Sequence, residues 1–424
     1  MGAAGAVGSI EAEGQAGRAG RKRPIGGLLV STGASVTGNA MVLILVPWLV
    51  LEQTGNAAYA GLINSAALLA ALIALGFGAA LLDRHDRRNL SVWADVLSAL
   101  SVIAIPIIDG FGALTTGVLV VLVAVGAIFD GPGRSAREAM RPVIATRSGL
   151  TLERTNALGE VMDGVGNVVG PAGAGLAVAA LGLASSFWLA GGIFAVAAVV
   201  FFVTQEPSPP ERIGDGEESY AAATAAGFRL VWRDPVLRAT AILASLFGLF
   251  LVPIVLVFTA TFEAEDRPAA LGIVLASFAV GSIVGAALYA VAGERFRRRP
   301  ILLAGLFAFA LGVLAMSLAL GSVTALVIVA IVTGVVAGPV GPVFSVVIQQ
   351  RTADEFRGRV IATIGTLEMI AAPLSLAIVG VLIEATSPST ALAILGLGCV
   401  GATCYAAIAP GLRHIESDDL VGIR

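Results

Sequence analysis

Apolar runs of about twenty residues recur along this chain, and a run of that length is what an α-helix needs to cross the hydrocarbon core of a bilayer. Twelve candidate spans are read at 25–51, 57–82, 90–109, 113–134, 155–181, 184–204, 236–262, 269–293, 299–320, 322–349, 358–383 and 388–410. Composition agrees with that reading. The chain is 57% hydrophobic and only 13% charged, whereas a water-soluble domain carries about 25% charged residues to cover its surface. Its 52 glycines suit helices that pack closely in lipid. The fold class expected is therefore an all-α membrane protein in the lipid bilayer.

One long polar gap, 205–235, divides the chain near its middle. The expected organisation is an N-terminal arm at 1–24, a six-helix bundle at 25–204, a central loop at 205–235, a second six-helix bundle at 236–410 and a tail at 411–424. Orientation follows from the arginines. With both termini in the cytoplasm, every Lys and Arg except Arg267 falls inside, as the positive-inside rule requires. Trp48, Trp93, Trp188 and Trp232 lie near predicted span ends, where an interfacial belt would put them. In the central loop, Pro207 to Glu218 is acidic and Pro-rich and is expected to lack fixed structure. Residues 220–232 read as a helix with Phe228, Leu230, Val231 and Trp232 towards lipid headgroups. The Ala/Gly-rich arm reads as a segment without fixed structure rather than a cleaved signal peptide.

Several function classes are excluded. Lys22 is the only lysine and sits in Arg21-Lys22-Arg23, so there is no Walker A motif and no ATP drive. Energy must come from an ion gradient, a substrate gradient or a partner. Cys399 and Cys404 lie five residues apart in one span and read as small core hydrophobes, not a disulfide. No His, Cys, Asp or Glu cluster has metal-ligand spacing, and no nucleophile–base set appears, so neither an enzyme, a cofactor nor a nucleic-acid partner is expected.

An internal repeat is visible. A shift of 211 residues carries Gly61 onto Gly272, Asp83 onto Glu294, Arg84 onto Arg295, Arg87 onto Arg298 and Arg88 onto Arg299. Parallel halves related by an axis along the membrane normal are a transporter architecture, with the substrate site between them near mid-membrane. The run from Gly76 through Gly78 to Asp83, Arg84, Arg87 and Arg88 closes a span and opens a cytoplasmic loop. An acid at a helix C-terminus is unfavourable alone, so Asp83 needs an arginine or another helix's N-terminus as partner. The alternative is a solvated topology signal. In the fifth span, Gly166, Gly170, Pro171, Gly173 and Gly175 permit close helix contact, and Pro171 removes one backbone hydrogen bond.

These runs resemble the major facilitator superfamily. The stretch 76–88 is similar to its motif A and 166–175 to its antiporter motif C, with Ala174 in place of one glycine. Val46-Pro47-Trp48-Leu49-Val50, the run from Ser135 to Pro142, that from Gly227 to Trp232, and Arg357-Gly358-Arg359-Val360 resemble the branch holding Tap-type drug efflux proteins of actinobacteria. The resemblance covers 25–410. It implies two pseudo-symmetric six-helix bundles, alternating access and proton-coupled export of amphipathic compounds. It also implies that Asp83 docks near Arg357 and Arg359 as an inner gate. Two positions depart from the pattern: Asn39 stands where the family often has an acid, and 118–127 lacks the arginine of many drug–proton antiporters.

A carboxylate in hydrocarbon must pair, face a cavity or take a proton. Asp95 and Asp130 lie near cytoplasmic span ends with arginines close by, which favours gate or topology charges over carriers. Glu160 and Asp163 are three apart, hence on one helical face, where mutual repulsion and burial both favour exchange of a proton. Alternatively they pair with Arg154 or Arg141 and only brace a gate. Glu368 lies five residues before Pro373 in the eleventh span, with no basic residue in that span to neutralise it. The sequence thus points to a monomeric secondary transporter exporting apolar or amphipathic small molecules by proton antiport. Its cavity would be touched by Asn39, Asp163 and Glu368, with Glu160 and Asp130 as further carrier candidates. A lipid or siderophore-like exporter, or an uncoupled facilitator, would use the same fold.

Overall fold

A computed structural model describes residues 3–207, 220–292, 295–352, 354–413 and 415, with side chains described for 24–74, 85–152, 154–207, 227–291, 295–352, 356, 359–361, 363–413 and 415. The first half holds α1 (Ala3–Thr54), α2 (Ala57–Arg84), α3 (Arg87–Gly110), α4 (Thr116–Ser148), α5 (Leu152–Leu181) and α6 (Leu183–Thr204). A connecting helix, α7 (Tyr220–Arg233), follows. The second half holds α8 (Pro235–Ala264), α9 (Pro268–Ala292), α10 (Arg298–Ala319), α11 (Val323–Ala337), α12 (Val340–Arg351), α13 (Asp354–Ala385), α14 (Pro388–Ile408) and the single turn α15 (Pro410–Arg413). Among the described residues, twelve helices are long and apolar enough to cross a membrane, α11 and α12 together making one of them.

Short polar residues start these helices. The Asp86 carboxylate accepts from Asn89 N at 2.8 Å ahead of α3, and Asp234 accepts from the amides of Val236 and Leu237 at 2.8 and 2.7 Å ahead of α8. Such caps satisfy amide donors that have no partner within the helix. Gly149, at φ +66°, ends α4 in a left-handed turn. The tenth span breaks between α11 and α12 because Pro339 has no amide to donate there.

Some expectations change. The arm does not stand apart: α1 starts at Ala3 and runs unbroken into the first span, as an Ala-rich stretch allows. The fourth span does not stop at 134; α4 continues to Ser148 and carries Arg134, Arg137 and Arg141 within it. Helix α7 exists, but only part of its apolar face is turned outward. Phe228 and Trp232 are exposed and stacked at 5.0 Å, whereas Val231 is buried with Leu237, Ile348, Val360 and Ile364. Trp48 is buried, not interfacial, while Trp93, Trp188 and Trp232 are exposed. Cys399 is buried as expected, but Cys404 is exposed, since five residues turn a helix well past one revolution.

The chain packs as two units, 1–42 with 73–170 and 187–213, and 43–72 with 171–186 and 214–424. In the first unit, α3 and α4 meet along small residues. A Cβ on Gly133 would strike Ala94, and one on Gly126 would lie 2.6 Å from Ser101 Oγ. In the second unit, Gly281 and Gly285 of α9 face Gly334 of α11 and Gly338 just past its end equally closely. The second unit also gathers the turns α1–α2, α5–α6, α8–α9 and α13–α14, here called the α1–α2 end.

Candidate functional site

The first unit holds a buried charge network. Arg134, Arg137 and Arg141 are spaced to share one face of α4. Arg137 is 6% exposed and binds both oxygens of Asp95, itself 1% exposed, at 2.8 and 2.9 Å. It also donates to Ser91 Oγ at 2.7 Å, Ser35 Oγ at 3.1 Å and the Ser31 carbonyl at 3.2 Å. Each of the three guanidinium nitrogens thus has a partner, which is what makes a buried arginine tolerable. Seven residues before Arg137 in α4, Asp130 accepts from Ser98 Oγ at 2.9 Å, and Asn39 lies beside the same carboxylate.

Two of the expected carriers are paired. Asp163 is buried, with Arg134 at 3.1 Å and Arg141 at 3.7 Å, and Arg141 reaches Glu160 at 3.5 Å. Of the two arginines suggested by sequence, Arg141 is the partner; Arg134 was not among them. The structure therefore brings together Asn39 with Asp130, and Asp163 with Glu160, while Glu368 belongs to the other unit.

Glu368 sits on a face of α13 whose exposure changes along its length. Positions 361, 365, 368, 372, 376, 379 and 383 share that face at helical spacing. Ala372, Leu376, Val379 and Ile383 are buried, whereas Ile361, Gly365 and Glu368 are exposed. The buried part meets α2. A Cβ on Gly61 would run into the Leu376 carbonyl and lie 3.1 Å from Gly380 Cα, and Ser65 Oγ donates to the Pro373 carbonyl at 2.6 Å. Among the described residues no basic side chain pairs with Glu368.

The glycine motif of α5 divides its work. Gly166 and Gly170 let α5 lie against α1, a Cβ at Gly166 falling 2.7 Å from Val36 and one at Gly170 falling 2.8 Å from the Thr37 carbonyl. Gly175 instead meets Gly272 of α9, with 2.7 Å to the Pro268 carbonyl. Pro171 is half-buried inside the helix. Gly61 and Gly272, matched by the repeat, thus each sit in a close seam, α2 on α13 and α9 on α5.

Gly76, Asp83 and Arg84 have side chains outside the described residues, as does Arg357, and all of Glu294 lies outside them. The expected docking of Asp83 is therefore not visible. The remaining arginines of the repeated run have a shared structural use. Arg88 donates to the Gln205 carbonyl at 3.3 Å just past α6, and its counterpart Arg299 donates to the Ala407 carbonyl at 2.9 Å in α14. Each braces the end of the last span of its half, where unpaired carbonyls attract a cation. Arg298 bonds Gln350 at the end of α12, Arg87 is half-buried, and Arg295 is exposed. At the α1–α2 end a cavity of about 820 Å³ opens between Trp48, Glu52, Glu263, Asp266, Arg267 and Ile273. None of the site residues expected from sequence lines it.

Apolar helices in this number, small-residue seams between them and charges held inside the spans define a polytopic membrane transporter rather than an enzyme. A sequence profile of the Major Facilitator Superfamily matches residues 28–268 and 264–418, and the chain belongs to that superfamily. It is similar to the multidrug efflux pump Tap of Mycolicibacterium fortuitum, 33% identical over 400 residues, 92% of this chain and 97% of that protein. The multidrug efflux pump Tap of Mycobacterium tuberculosis (strain ATCC 25618 / H37Rv) is 31% identical over 399 residues, covering 92% and 94%. Among solved structures, the nucleoside transporter NupG shares the fold at a TM-score of 0.73 and 12% identity, covering 91% of this chain and 99% of that one.

Proposed function

We propose that the chain exports apolar or amphipathic, drug-like small molecules by proton antiport through alternating access. It would act as a monomer in the cytoplasmic membrane, with both termini, the central loop at 205–235 and the tail at 411–424 inside. The arginine distribution supports that orientation, since only Arg267 would lie outside. Export of varied compounds is supported by the multidrug efflux pumps to which the chain is similar over nearly its whole length.

The observation that carries the coupling is Glu368, an exposed carboxylate without a basic partner among the described residues, on a face that is buried beyond it towards the α1–α2 end. Asp163 and Glu160 are weaker candidates because both are paired with arginine. Asp130 already has Ser98 and Asn39 beside it. An unpaired acid in an apolar path exchanges its proton more readily than one fixed in an ion pair.

Glu368→Gln keeps size and hydrogen bonding but cannot cycle a charge. Uptake of a cationic dye into inverted vesicles should depend on a pH gradient in the wild type and fall about 100-fold to the passive level in the variant. Binding of a neutral compound should persist. If the variant still concentrates substrate when energised, Glu368 is not the carrier and Asp130 takes its place. If the wild type ignores the gradient, the protein is an uncoupled facilitator.

A further inference from the structure

We infer that Glu384 is the latch of the outer gate, holding α2 against α13 by placing its carboxylate on the first amide of α2. The inference rests on the orientation and alternating access proposed above, under which the α1–α2 end faces outward. Helix α2 starts at Ala57 after a left-handed Gly55, at φ +61°. Its first amides have no partner within the helix. Asn56 Oδ1 accepts from Tyr59 N at 3.1 Å. The Ala57 amide donates instead to Glu384 Oε1, which reaches it from α13 in the other sequence half. A negative charge at a helix N-terminus gains from the partial positive charge gathered there.

The bond is one end of a continuous seam. Ala57, Gly61 and Ser65 lie on one face of α2 at four-residue spacing, opposite Pro373, Leu376, Gly380 and Glu384 on α13. Both side chains that make its polar contacts have a replacement partner. Ser65 Oγ has a second acceptor in its own helix, the Gly61 carbonyl at 2.8 Å. Glu384 is exposed at the mouth of the seam, so water can replace its amide partner. A static core would use bonds that are costly to break, whereas a gate needs bonds that water or a helix can replace.

The companion seam cannot carry the same device. The repeat that matches Gly61 with Gly272 matches Ala57 with Pro268, which has no amide hydrogen. Its close approach is instead backbone on backbone, Gly175 against Gly272 and the Pro268 carbonyl, and Gly272 against the Ala172 carbonyl. The latch is thus an asymmetric addition to two otherwise similar seams.

The test uses the full-length protein with Cys399 and Cys404 replaced by Ser. Spin labels are attached at Tyr59→Cys and Leu318→Cys, which replace exposed side chains on the two sequence halves. Distances in nanodiscs by double electron–electron resonance should show mainly one short component for the otherwise unchanged protein. Glu384→Ala should raise the long component about tenfold relative to the short one. Glu384→Gln, which keeps an acceptor oxygen and loses the charge, should raise it less. The measurement needs neither substrate nor gradient, so it stands apart from proton coupling. An impermeant maleimide tests the orientation separately by labelling Tyr59→Cys from outside. An unchanged distance distribution in Glu384→Ala overturns the latch, and so does a lowered melting temperature with unchanged distances, which would make Glu384 a plain helix cap.

Discussion

Arg137→Ala should cost the folded protein about 3–5 kcal/mol, because it leaves a buried carboxylate without its counter-charge. Asp95 is 1% exposed and takes both of its short bonds from Arg137. The same change takes donors from the hydroxyls of Ser91 and Ser35 and from the Ser31 carbonyl. Three helices, α1, α3 and α4, lose their common tie at once. Arg137→Lys should recover only part of the loss, since an ammonium cannot reproduce the forked set of five bonds. The decisive comparison is the double variant Asp95→Ala with Arg137→Ala. Removing both charges should give a protein more stable than either single variant, as the unpaired charge is then gone. Thermal unfolding in detergent, followed by loss of the monodisperse peak, measures all five proteins. Equal melting of Arg137→Ala and wild type would mean that water reaches Asp95 and the pair is not a structural tie.

That network was only partly legible in the sequence. Twelve spans could be read because an apolar run of bilayer length has few other uses. The fourth reads as ending at 134 because Arg134, Arg137 and Arg141 break its hydrophobicity. Their spacing, however, is that of one helical face, and Ser35, Ser91 and Asp95 are the polar side chains in neighbouring spans that receive Arg137. Polar residues at helical spacing inside apolar runs were the signal available. Glu368 was legible as an acid in a span, but its surroundings were not, since helical spacing defines a face without saying what covers it. Glu384 was missed for a related reason. It lies at the end of a span, where a charged residue ordinarily meets water, and its use depends on a helix start 327 positions away in sequence. In sequence the repeated arginines mark only a run that closes a span and opens a cytoplasmic loop. The visible contacts of Arg88 and Arg299 are braces on α6 and α14, a use that only the packing of the last span of each half reveals.

A bulky residue in either glycine seam should abolish transport while leaving the protein folded. Gly380 lies against Ala57 and Gly61, and a Cβ there would fall 2.6 Å from the Ala57 carbonyl and 3.2 Å from Gly61 Cα. At Gly175 the corresponding distances are 2.5 Å to Gly272 N and 2.7 Å to the Pro268 carbonyl. These neighbours are backbone, which cannot swing aside as a flexible side chain does. Valine at either position must therefore hold the helices apart, and α2–α13 or α5–α9 can no longer close. If closure of these seams is one half of an alternating cycle, Gly380→Val and Gly175→Val should each lower export by about 100-fold or more, since a state that cannot form blocks every turnover. Folding should survive because α13 keeps its packing on α8, α9 its packing on α11 and α5 its contact with α1 through Gly166 and Gly170. Gly173 supplies the control. Nothing lies within 4 Å of a Cβ built there, so Gly173→Ala in the same helix should transport like wild type and separate crowding in the seam from a loss of helix flexibility. Efflux of a fluorescent substrate from cells, normalised to the amount of monodisperse protein, compares the three variants. Wild-type efflux by Gly380→Val and Gly175→Val would show that these seams stay closed or open throughout the cycle and are not its gate.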